Sequence, residues 1–247
     1  MRPTGIVSAL PAEARALGPS AARGADLRRL DEGALLAVSG MGRPAAAAAA
    51  RRLVLAGAGA LVSFGMAGGL DPALICGTVL LPEEIAAADD AVSELHPTSR
   101  EWRRRLRAAM PASCLVCGGR LLTSGQPIAH PAVKADIWRH TGAVAVDMES
   151  AAIAQVAAQA GLQFLALRVI IDTASDELPA AVIAASAGGR LRVGRLIGGL
   201  LRTPADVGAL IRLSARYRIA TRVLAAVAAA DSPARRVLIG GPEAEAS

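Results

Sequence analysis

"VAVDMESAAIAQVAAQAG", Val144 to Gly161, is the stretch on which the fold turns. A β-type apolar run ends at Asp147-Met148-Glu149, and a helix of apolar and alanine positions starts directly after it. A strand feeding a helix through so short a turn is the repeating unit of an α/β domain. Two carboxylates beside a strand end are costly to desolvate unless something there uses them. Acids favoured by the dipole at a helix N-terminus would leave the same trace.

The same alternation continues outward in both directions. Strands are expected near 4–9, 34–39, 59–65, 77–81, 114–124, 143–147 and 163–171. Helices are expected near 11–18, 43–57, 98–109, 131–140, 149–160 and through much of 186–230. This pattern predicts an α/β fold, a three-layer αβα sandwich around a central mixed, largely parallel sheet, with a helical C-terminal extension. Neither an internal repeat nor a linker splits the 247 residues, so one domain is expected over 1–247. Its core covers about 1–185, a basic helical extension about 186–230, and a flexible tail 231–247.

Composition narrows the class. No run of 18 apolar residues exists, so no spanning helix is expected, and the N-terminus lacks the features of a signal peptide. Three cysteines cannot all pair; Cys114-x-x-Cys117 has no second pair or nearby His for zinc and reads as two buried thiols in a reducing cytoplasm. Residues 188–247 hold ten basic and four acidic side chains, which accounts for the whole surplus of +6.

Polar groups recur at strand ends. "FLALRVIIDTASDELP", Phe164 to Pro179, is a buried-looking strand that carries Arg168 and stops at Asp172. Ligands of parallel sheets sit beyond the carboxyl ends of strands, although a capping aspartate would also stand there. "GIVSALPAEARAL" brings Glu13 to the same edge, and "LVSFGMAGGLDP" ends with Gly65, Gly68 and Gly69, which let a ligand approach the backbone. "SGMGRPAAAAAARRL", Ser39 to Leu53, has the Gly40-x-Gly42-x-x-Ala45 outline of a dinucleotide site. About 20 positions on, where an acid would hold a nicotinamide cofactor's ribose, there is none. Three carboxylates and two glycine-rich turns without a metal-ligand cluster suit acid/base chemistry on a small polar ligand.

These segments, with "TSGQPI" and "LRVIIDTASD", resemble in order the purine nucleoside phosphorylase and methylthioadenosine/S-adenosylhomocysteine nucleosidase superfamily across most of residues 4–178. "SFGMAGGLDP", "GAVAVDMESAAIA" and the tail after "DELP" are most similar to its hopanoid-associated branch. The resemblance implies N-glycosidic bond cleavage without a cofactor or metal. It implies Asp172 as proton donor to purine N7 and Glu13 as the group that activates water. Glu149 and Met148 would hold the ribose, with Ala67, Gly68, Ile128, Ala129 and Arg168 completing the substrate site. Ile128 stands where the nucleosidases have an aromatic shelf, and Ile171 where a Ser often precedes the Asp. Ser63 and Met66 stand where many phosphorylases bind phosphate, which favours hydrolysis, unless Arg103 to Arg105 reach in.

The branch is expected to remove adenine from adenosylhopane, a nucleoside with a large 5′ lipid group. Methylthioadenosine-type nucleosides, or a non-catalytic nucleoside- or lipid-binding role, are the alternatives. A homodimer in the cytoplasm is expected, without nucleic-acid binding. Residues 204–230 form an expected helix with a stripe of Leu210, Leu213, Tyr217, Ala220 and Leu224 and a basic side of Arg212, Arg216, Arg218 and Arg222. Such a helix either packs on the core with solvated arginines or docks on the inner face of a membrane.

Overall fold

The computed structural model describes residues 2–18, 27–30, 33–88, 94–178 and 206–242. In chain order the elements are β1 (Thr4–Ser8), α1 (Pro11–Ala14, continued by a tighter turn over Arg15–Leu17), β2 (Arg28–Arg29), β3 (Leu35–Val38), α2 (Arg43–Leu55) and β4 (Ala60–Gly69). Next come β5 (Val79–Leu80), β6 (Glu84–Ala87), β7 (His96–Pro97), α3 (Arg100–Ala108), β8 (Val116–Cys117), β9 (Arg120–Thr123) and α4 (Pro131–Thr141). The chain then runs through β10 (Ala143–Asp147), α5 (Ser150–Gln159), β11 (Gln163–Asp172), α6 (Asp206–Val227) and α7 (Pro233–Gly240).

The strands form one mixed sheet in the order β2-β3-β1-β4-β10-β9-β6-β7, with β11 joining β4 to β5 and β8. β4 is the hinge of the arrangement. Its first half lies parallel to β1, its whole length parallel to β11, and its last two residues antiparallel to β10. That junction brings the ends of β4, β10 and β11 together.

The two larger of three apolar clusters cover the two faces of the sheet, as the sandwich requires. In one, Ala46, Ala49, Ala50 and Leu53 of α2 pack with Ala151, Ile153, Ala154 and Ala157 of α5. The α2 residues recur at helical spacing, and alanine lets the two helices and the sheet approach closely. In the other, Trp102 and Leu106 of α3 pack with Ala220, Leu224 and Val227 of α6 and Ala234, Leu238 and Ile239 of α7.

The tail from residue 231, expected to be flexible, instead contains α7. Trp102 Nε1 donates to the Val237 carbonyl at 2.9 Å, and the buried Arg235 guanidinium donates to the carbonyls of Leu17 and Ala228. An Arg in a tail reads as solvated; only the fold shows the carbonyls that it satisfies. The expected helix over 186–205 lies outside the described residues. Cys114 and Cys117, expected to be buried, are free and half-buried, as is Cys76. Among the described residues no helix is long and apolar enough to cross a membrane.

Candidate active site

The first acid pair divides its labour. Asp147 ends β10 and turns inward. Its carboxylate accepts from Thr123 Oγ1 at 2.7 Å and from the Ser150 N–H at the start of α5, and is paired with Arg168 of β11 at 2.8 Å. Glu149, two residues on, accepts from the Gly42 N–H at 2.8 Å. Gly42 has φ +94°, a conformation that a side chain resists, so the glycine turn before α2 aims its N–H at a carboxylate. The turn that looks like a pyrophosphate cradle therefore holds Glu149.

Glu13 is equally anchored. It accepts from the Leu10 N–H and the Met66 N–H, both at 2.9 Å, and from Ser8 Oγ at 3.2 Å. A Cβ added at Gly65 would lie 2.6 Å from Glu13 Oε1, so that glycine makes room for the carboxylate. A carboxylate offers about four acceptor sites, and three are taken, which leaves one for a ligand or water.

Asp172 stands at the end of β11, where a bulge shifts the register to β4 between Ile170 and Asp172. Neighbouring side chains of a regular strand face opposite ways. The bulge re-aims this strand end so that Ile171 and Asp172 both face one cavity. Asp172 is bonded to Lys134 Nζ, which also donates to the carbonyls of Thr173 at 2.8 Å and Asp176 at 3.0 Å.

Glu13, Glu149 and Asp172 thus converge on a cavity of about 220 Å³, with Ala67, Gly68, Ile128 and Met148 among its walls. Leu10, Met41, Met66, Ile171, Leu178 and Tyr217 make much of the remaining lining apolar. Burial pushes all three carboxyls above their ordinary range. For Glu149 the desolvation and the neighbouring Asp147 charge raise it from 4.5 to about 7, against the opposing Arg168 and Gly42 N–H. For Glu13 burial outweighs Arg168 and the three donors; for Asp172 it outweighs the Lys134 ammonium.

Two expected contacts lie elsewhere. Arg168 is not a wall of the cavity but sits behind it, buried, with its guanidinium engaged by Asp147, Ser63 Oγ at 2.6 Å and Ser150 Oγ at 3.0 Å. Sequence reading missed this because its partners are supplied by β4, β10 and α5. The same network occupies Ser63. Ala129 does not line the cavity either; its carbonyl accepts from the Leu178 N–H at 3.0 Å. Arg103 donates to Thr98 Oγ1 and Arg104 to Glu101, on the side of the sheet where α3 packs against α7.

Lys134 was missed altogether. Its signal was a charged residue at i on a helix face whose i+3 and i+4 residues, Ile137 and Trp138, are apolar.

The phosphorylase superfamily model matches residues 27–202, most of the chain. The chain belongs to the phosphorylase superfamily. It is thus an enzyme of that superfamily, and it shares the α/β fold of solved nucleosidases. Among solved structures of similar fold is 5′-methylthioadenosine/S-adenosylhomocysteine nucleosidase from Neisseria meningitidis in complex with methylthio-immucillin-A. It is 19% identical, with a TM-score of 0.67, over 91% of this chain and 96% of that one. A putative nucleosidase of the same name from Francisella philomiragia is 18% identical, TM-score 0.64, over 91% and 97%. Futalosine hydrolase from Helicobacter pylori is 18% identical, TM-score 0.62, over 82% and 97%. No curated protein sequence matches the chain.

Proposed function

We propose that this superfamily member hydrolyses the N-glycosidic bond of an adenine nucleoside that carries a large apolar 5′ substituent of the adenosylhopane type. The observation that carries the reading is the convergence of Glu13, Glu149 and Asp172 on one largely apolar cavity. Cleavage leaves an oxocarbenium-like sugar and a base that needs a proton. In this reading Asp172 supplies that proton at N7. Glu149 accepts the ribose hydroxyls and sets negative charge beside the developing cation. Glu13 uses its open acceptor site to take a proton from the attacking water.

Hydrolysis is favoured over phosphorolysis because the described cavity walls carry carboxylates and no arginine or lysine, and because Ser63 is held by Arg168. The apolar lining and the structures of nucleosidases that act on 5′-substituted adenosines support the substrate class.

Purified protein incubated with adenosylhopane, or with methylthioadenosine, with and without phosphate, tests this. Adenine release from adenosylhopane without phosphate is expected. Release only with phosphate overturns hydrolysis, and equal efficiency on methylthioadenosine overturns the lipid assignment. Asp172→Asn is expected to lower kcat by roughly 10²–10⁴-fold, the usual worth of a positioned proton donor.

For such a substrate we also propose a homodimer that rests on an anionic membrane surface. Supporting the surface contact, α6 turns Ala220 and Leu224 inward while Arg212, Arg218, Arg222, Ile211 and Ile219 are exposed. Anionic vesicles should co-sediment the full chain, and the R212E/R218E/R222E variant should stay in solution. Equal partitioning removes the membrane contact.

A further inference from the structure

Of 27 basic residues, Lys134 is the one lysine; every other base is an arginine. The arginines serve even the buried pair with Asp147 and the ion pair of Arg216 with Asp176. Lys134 lies in α4 with its side chain wholly enclosed, against an Asp172 side chain only 6% exposed. Its nitrogen meets three acceptors, the Asp172 carboxylate and the carbonyls of Thr173 and Asp176. Two N–H serve the two carbonyls, and the third position places one proton between Nζ and the Asp172 carboxylate. Burial holds the Asp172 carboxyl above its ordinary range and the lysine nitrogen opposes it, so the pair holds one proton between the two groups.

We infer that Lys134 and Asp172 form one proton-holding unit, in which Lys134 is a positioning residue that stores the proton Asp172 delivers. This rests on the reaction proposed above. As the C1′–N9 bond breaks, its electron pair leaves with the base. One proton passes from Lys134 Nζ to the Asp172 carboxylate, and one passes from Asp172 to N7. The carboxylate ends as it began, and Lys134 ends as a neutral amine whose two N–H still serve the two carbonyls. The proton of the attacking water, taken up by Glu13, returns to Lys134 through solvent. An arginine could hold the charge but could not release a proton, which gives a reason for lysine at this one place.

The other ionisable groups facing the unit are Cys76 from the loop before β5, Asp176 from the loop after β11, and Arg216 from α6. Arg216 is paired with Asp176, so Lys134 is the cation bonded to Asp172 itself. His130 and Glu177 form an exposed pair at 3.1 Å beside the same loop.

The test compares Lys134→Gln, which keeps two N–H for the carbonyls, and Lys134→Arg with the wild type. Each is assayed across pH on the adenine nucleoside and on 4-nitrophenyl β-riboside, whose leaving group departs without a proton. On the adenine substrate both variants should lose roughly 100-fold or more in kcat. The residual activity of Lys134→Gln should fall off at lower pH than the wild type's, because a carboxylic acid is a stronger acid than an ammonium. On the nitrophenyl riboside both should stay within about threefold of wild type, since that reaction needs no leaving-group acid. Equal losses on both substrates would mean a merely structural lysine, and recovery by Lys134→Arg a role of charge alone; either overturns the inference. A wild type that releases no adenine overturns the proposed function as well. A wild type that releases adenine while Lys134→Gln matches it overturns this inference only.

Discussion

Glu149 is the residue whose environment is most exposed to experiment. Burial and Asp147 raise its carboxyl from 4.5 to about 7. Below pH 4.5 the group is protonated in folded and unfolded chains alike. As pH rises toward 7 the unfolded chain ionises first, so the folded wild type loses stability that a Gln in its place would keep. The Tm of Glu149→Gln minus that of wild type should therefore grow between pH 4.5 and 7 and level off above. A flat difference over that range would show that Glu149 ionises normally. At this scale much was legible. Asp172 ends β11, Glu149 follows β10 and Glu13 sits in α1 just after β1, each in a recognisable motif. Arg168 and Lys134 were not, since a buried cation is defined by partners that are distant in sequence, Asp147 for one and Asp172 for the other.

At the scale of elements, the turn before α2 and the bulge in β11 aim the site. Gly42 has φ +94° and ψ 157°, a region that is almost closed to residues with a Cβ. Gly42→Ala should cost about 1–3 kcal/mol in urea unfolding and should also loosen Glu149, so KM rises along with the fall in stability. A loss of stability with unchanged KM would separate the turn from ribose binding. The alternation of strands and helices was readable from apolar periodicity. The short strands β2, β6 and β7 were not, because two to four residues carry too little pattern to stand out. The bulge was invisible as well, being a relation between β11 and β4 rather than a property of either.

At the scale of the whole molecule, the C-terminal helices belong to the core. Leu224, Val227, Leu238 and Ile239 are each at most 4% exposed. At about 1.5–3 kcal/mol for each such side chain, their burial is comparable to the 5–15 kcal/mol that holds a typical domain together. A chain cut after residue 203 should accordingly fail to fold cooperatively, seen as loss of a sharp thermal transition. A truncated chain that melts like the full one would detach α6 and α7 from the core. The sequence by itself determined the layered α/β fold, the family and the three acids, because periodicity, turn glycines and motif order are all local in the chain. The tertiary structure alone decided which charges meet on the cavity and which partners hold them. Asp147 with Arg168 and Asp172 with Lys134 meet only when β4, β10, β11 and α4 come together. Burial then sets what each carboxyl can do.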